Sequence, residues 1–166
     1  MLKANVRSGQ LAIATTLQAA GDERVPVSFG YHPYLRLPDT PRRAWWVTLA
    51  AFRRLFLDER MIPTGERQPA IRRNFCLAGE DLDDALDALT VPAEFKACAG
   101  DRAVSVDFVG SKQANSPPSG ANTWAYGKPS MTVPTNALNS GDGRRLVDPG
   151  ERYRTRFTIS ISGRCA

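Results

Sequence analysis

The chain is poor in the residues that most often do chemistry. His32 is its only histidine, and no Asp or Glu occurs between Ser111 and Thr135. Cys76, Cys98 and Cys165 are odd in number and widely spaced, with no CxxC pair. A structural zinc site needs four ligands at motif spacing, so none is expected, nor any other metal. With an odd cysteine count and no basic-then-apolar leader in MLKANVRSGQ, the expectation is a cytoplasmic protein with free thiols. No apolar run approaches the ~18–20 residues that would cross a bilayer, so a membrane protein is excluded. Repeats are missing too, which excludes a coiled coil and a collagen-like rod.

What is present is an ordinary globular composition in 166 residues, with 42% hydrophobic and 23% charged positions. Thirteen glycines and twelve prolines cut it into short elements. Lys and Arg number 22 against 17 Asp and Glu, a formal charge of +5. The arginine pairs Arg42-Arg43, Arg53-Arg54, Arg72-Arg73 and Arg144-Arg145 are dispersed along the chain. A nucleic-acid binder concentrates such charge in one helix or tail, so a solvated basic surface is the expectation and no nucleic-acid partner is assigned.

Period-two patterning dominates both ends. In YRTRFTISIS the odd positions Tyr153, Thr155, Phe157, Ile159 and Ile161 share one face and the arginines the other. This predicts a half-buried strand. LAIATTL near residue 11 and AVSVDFV (103–109) alternate likewise, and WWVTLA (45–50) and RRLFLDE (53–59) are further strand candidates. Leu82, Leu86 and Leu89 in EDLDDALDALT recur at helical spacing instead. SKQANSPPSGANTWAYGKPS (111–130) is polar, small and proline-rich, and predicts an irregular loop. Asn136–Gly143 and Asp148–Glu151 predict tight turns.

His32 lies in VPVSFGYHPYLRLP, where Pro33 biases it toward extended backbone. A stiff, aromatic-walled position can hold an imidazole for proton transfer near neutrality, or a structural histidine.

FGYHPYLRLP, LDERMIPTGE, LDDAL, PSMTVPTNALNSGDG and LVDPGERYRTRF, in that order and spacing, resemble the aldose 1-epimerase (galactose mutarotase) family. The resemblance spans nearly the whole chain but only the C-terminal half, or somewhat more, of a family member. It implies an all-β fold, an antiparallel β-sandwich of the galactose mutarotase-like type, truncated on the N-terminal side, with residues 1–166 forming one partial domain. It implies interconversion of the α and β anomers of aldohexoses of the glucose or galactose type. An acid protonates the ring oxygen, a base takes the anomeric proton, and no cofactor is used. Residue by residue it matches His32 to the general acid and Asp83 to a sugar-binding aspartate at a loop or strand end. Aromatic rings stack on the apolar faces of pyranoses; Tyr31, Tyr34, Trp45, Trp46 and Trp124 are available, and Tyr34 is the one assigned to the sugar. The family's general-base glutamate has no counterpart. An ungapped alignment puts Pro129 in its place, and one inserted residue puts Lys128 there. The resemblance therefore implies weakened or lost activity, with a non-enzymatic carbohydrate-binding or vestigial module as the alternative. Missing sheet also implies exposed apolar surface, which a homo-oligomer would cover.

Overall fold

The computed structural model describes residues 1–50, 53–69, 74–78, 85–88, 93–110, 123–125, 128–132 and 135–163. These form β-strands, a 3-10 turn at Arg42–Ala44 and one short helical turn, α1 (Ala137–Ser140). In chain order the strands are β1 (Leu2–Arg7), β2 (Gln10–Gln18), β3 (Val25–Val27), β4 (Gly30–Tyr31) and β5 (Trp46–Thr48). There follow β6 (Arg53–Leu57), β7 (Pro63–Pro69), β8 (Asn74–Cys76), β9 (Ala85–Asp87) and β10 (Ala93–Ala99). The last five are β11 (Arg102–Gly110), β12 (Thr123–Ala125), β13 (Lys128–Met131), β14 (Arg145–Val147) and β15 (Arg152–Ser162).

Two antiparallel sheets dominate. A seven-stranded sheet runs β1-β2-β15-β11-β10-β5-β8, and a six-stranded sheet runs β4-β13-β12-β9-β6-β7. A small pair, β14-β3, completes the fold. The predicted all-β, antiparallel architecture is present, and each alternating segment became a strand.

Alternation explains the core. Register sets Val47 beside Ala97, Phe95 beside Val106, Val106 beside Ile159, and Phe157 between Phe108 and Ile13. These side chains share one face of the large sheet and pack with Leu37, Trp45, Leu77 and Leu86. Burying such side chains contributes about 1.5–3 kcal/mol each. A second cluster, Ala19, Val27, Val147 and Tyr153, lies under the β14-β3 pair.

Where leucines recur at helical spacing, Ala85–Asp87 is a strand between β12 and β6, so tertiary context overrides the short period in the direction the resemblance implies for this segment. Two expectations are corrected. Within the segment predicted as irregular, Thr123–Ala125 and Lys128–Met131 are strands, because neighbouring strands supply the ladder that the local composition does not advertise. Cys98 is disulfide-bonded, while Cys76 keeps a free thiol; sequence spacing carries no information about which side chains meet in three dimensions. Among the described residues no helix is long and apolar enough to cross a membrane, which leaves a β-barrel untested.

Candidate functional site

His32 directly follows β4, and burial goes on alternating beyond the strand's end. Along this segment Tyr31, Pro33 and Leu35 are half-buried and Leu37 is buried, while His32, Tyr34 and Arg36 are exposed. The alternation turns the imidazole and the Tyr34 ring to the same side. They stack with centroids 4.7 Å apart and planes inclined by 26°. Tyr34 is 87% exposed, so an aromatic surface stands open beside the imidazole.

The preceding residues anchor this segment. The Tyr31 ring stacks on Phe157 at 5.0 Å, and its hydroxyl is hydrogen-bonded to the Thr15 hydroxyl. Phe29 packs edge-on against both Tyr31 and Tyr153. Phe29 N–H donates to Thr132 Oγ1 at 3.1 Å, Thr132 Oγ1 donates back to Phe29 O at 3.1 Å, and Thr132 N–H donates to Phe29 O at 2.8 Å. Buried Thr132 thereby clips the entry of β4 to the exit of β13.

Register brings four strand ends together. Ser130 pairs with Tyr31, Lys128 with Ala125, and Trp124 with Leu86. The end of β4, the start of β13, the end of β12 and the start of β9 therefore lie at one end of the small sheet. Continuing the β13·β4 register by one residue sets Pro129 beside His32, and Lys128 opens the same strand. Asp83, the expected sugar-binding carboxylate, lies outside the described residues, two positions before β9. Of the tryptophans, Trp45 is buried in the core, Trp46 is exposed on the opposite face of the large sheet, and Trp124 lies on β12.

One constellation was not singled out by the sequence. Asp87, at the far end of β9, is completely buried yet carries a carboxylate. Arg53 Nε and Nη2 donate to its two oxygens at 2.8 and 2.9 Å, and Arg67 Nε adds a third bond at 3.1 Å. Arg67 Nη2 also reaches Asp142 at 2.5 Å, tying the turn after α1 to the small sheet. Burial lowers the Arg67 pKa, but its hydrogen bonds to Asp87 and Asp142 outweigh this and hold it above the usual arginine value. Arg53 is thus no freely solvated member of an arginine pair. No local sequence signal marks this carboxylate: Arg53 arrives from the adjacent β6 and Arg67 from β7 beyond it, while the other neighbour, β12, carries no arginine. Among the described residues no three potential ligands cluster as a metal site would require.

No family model matches the sequence, and no curated protein matches it either. Solved structures do match. The Slr1438 protein from Synechocystis sp. PCC 6803 is 21% identical, with a TM-score of 0.69 over 98% of this chain and 54% of that one. A galactose mutarotase-like protein from Clostridium acetobutylicum is 14% identical, with a TM-score of 0.70 over 98% of this chain and 55% of that one. A galactose mutarotase related enzyme from Lactobacillus acidophilus is 13% identical, with a TM-score of 0.69 over 96% and 60%. The chain therefore has the fold of galactose mutarotase-like structures and spans between half and two thirds of their length.

Proposed function

We propose that residues 1–166 act as one partial mutarotase-like domain that takes a free aldohexose of the glucose or galactose type and catalyses anomer exchange weakly. His32 serves as general acid toward the ring oxygen. Tyr34 offers its ring to an apolar face of the pyranose, and Asp83 accepts hydrogen bonds from sugar hydroxyls. The exposed His32–Tyr34 stack beside β13 carries this reading, because it joins an imidazole to an open aromatic surface.

The weakness follows from the second half of the reaction. Ring opening needs a base for the anomeric proton. Proline offers none, and a lysine ammonium accepts a proton only after a large desolvation shift. Losing one of two general catalysts costs ~10²–10⁴-fold in rate. Neither a cofactor nor a metal is part of the proposed reaction. The test is polarimetry on fresh α-glucose and α-galactose. A small rate above the uncatalysed level that disappears in His32→Ala supports the reading; equal rates for both proteins remove His32 from catalysis.

A second reading is favoured by one observation, the carboxylate-free stretch around β13. The same surface would then bind sugar without turnover. Saturable change in tryptophan fluorescence on sugar titration, with no rate above background, selects it. A cytoplasmic location is also proposed, from the odd cysteine count; the Cys98 disulfide runs against it. Thiol labelling in freshly lysed cells decides, since a reducing compartment keeps Cys98 labelled.

A further inference from the structure

β1 forms one edge of the seven-stranded sheet, and every residue in it is exposed. Its pattern is that of a buried strand nonetheless. Register sets Leu2 opposite Thr15, Ala4 opposite Ile13 and Val6 opposite Leu11, so the three share the face that carries the core. Following one row across the sheet, Phe95 and Val106 are buried, Ile159 and Leu11 half-buried, and Val6 is 77% exposed. Leu2 is 60% exposed and Ile161, on the same face, 71%. Cover over the core face thus runs out toward β1.

The backbone of β1 is also half used. Met1 and Thr16 exchange both main-chain hydrogen bonds, at 2.6 and 2.8 Å. In an antiparallel pair such exchange alternates. Lys3, Asn5 and Arg7 therefore point their N–H and C=O groups toward β2. Those of Leu2, Ala4 and Val6 point outward, an unpaired ladder of the kind proteins ordinarily blunt or cover.

We infer that β1 pairs antiparallel with β1 of a second copy, in the register that sets Leu2 opposite Val6 and Ala4 on the two-fold axis. Charge and hydrogen bonding both select this register. It places Lys3 opposite Asn5, uses all the outward groups of Leu2, Ala4 and Val6, and packs Leu2 and Val6 of both copies along one face. Shifting the centre to Asn5 puts Lys3 opposite Arg7 twice and leaves Leu2 unpaired. Shifting it to Lys3 sets two lysines face to face. Like charges directly opposite are destabilising, and a one-residue slip would turn side chains to the wrong face. The contact is isologous and consumes the β1 edge, so it closes at a dimer. It involves no sugar chemistry and stands apart from the catalytic reading.

The test is the solution mass of the full chain by light scattering, from low to high micromolar concentration. The expected mass is twice the 18.2 kDa of one chain. Ala4→Pro removes an outward N–H without touching the β1·β2 ladder, and is expected to give a monomer with an unchanged far-ultraviolet spectrum. In a Cys76→Ser background, Ala4→Cys sits on the axis and is expected to oxidise to a covalent dimer, whereas Asn5→Cys is not. A monomer at every concentration overturns the proposal, as does a dimer indifferent to Ala4→Pro. A covalent dimer from Asn5→Cys and none from Ala4→Cys overturns the register.

Discussion

Arg53 and Asp87 face each other across β6 and β9, and the guanidinium grips both oxygens of a carboxylate that water does not reach. Arg67 completes the cage from β7. A bidentate arginine pair is the geometry that compensates a buried carboxylate for its lost hydration.

Removing the anion strands two cations, so Asp87→Ala is expected to destabilise the fold by about 3 kcal/mol, the low end for a broken buried pair because both arginines retain some solvent contact. Arg53→Ala is expected to cost less, since Arg67 remains on the carboxylate. Urea unfolding midpoints for the two variants measure the order.

Thr132→Val deletes the hydroxyl that bonds both Phe29 N–H and Phe29 O, at nearly constant volume. A part-buried N–H left unpaired costs about 1–3 kcal/mol. Thermal denaturation gives the loss. Because the clip anchors the strand leading to His32, any measured anomer exchange is expected to fall with it.

Asp107 on β11 sits directly opposite Glu94 on β10. Burial first, and the Glu94 charge second, raise its pKa above the usual aspartate value. A carboxyl with a raised folded pKa contributes stability only below its unfolded pKa, and that contribution is lost as pH rises through the folded value. Asp107→Asn is therefore expected to raise the melting temperature at neutral pH, by the equivalent of about 0.2–1 kcal/mol for a relieved cross-strand repulsion. The gain is expected to vanish in acid, which melting curves from neutral pH downward would record.

Phe157 and Ile161 lie on one face of one strand, but only Phe157 is buried. Phe157→Ala is expected to cost about 3–5 kcal/mol as a core cavity. Ile161→Ala is expected to change stability by about 0.5 kcal/mol or less, as an exposed substitution. Equal losses in chemical denaturation would mean that the core face is covered as far as β1.

The same two residues show how far the sequence could be read. Parity in YRTRFTISIS assigned both to the core face, and the face is right. Parity cannot report how far the opposing layer extends, so Ile161 and Val6 are exposed against their pattern. Long alternating strands such as β11 and β15 were legible because the pleat imposes its period on many residues. β12 and β13 were not, since a strand of three or four residues is defined by its neighbours. Asp87 was invisible for a related reason. In LDDALDAL nothing local separates it from Asp83 and Asp84; only the arrival of Arg53 and Arg67 from other strands makes it a buried ion. His32 was named through the HPY motif and Tyr34 as a ring able to stack on a sugar; that the two rings stack on each other is a contact no motif states.

In the proposed reaction an acid persists at His32, while β13 carries no carboxylate to serve as its partner base. Supplying that base is the most direct measurement. Anomer exchange of fresh α-galactose is followed by polarimetry for the wild type, Lys128→Glu and Pro129→Glu, each with and without His32→Ala. One of the two glutamates is expected to raise the rate by ~10²–10⁴-fold, the contribution of one general catalyst, and His32→Ala to abolish the gain. Folded variants that stay at the uncatalysed rate, or a gain that survives His32→Ala, would contradict the account.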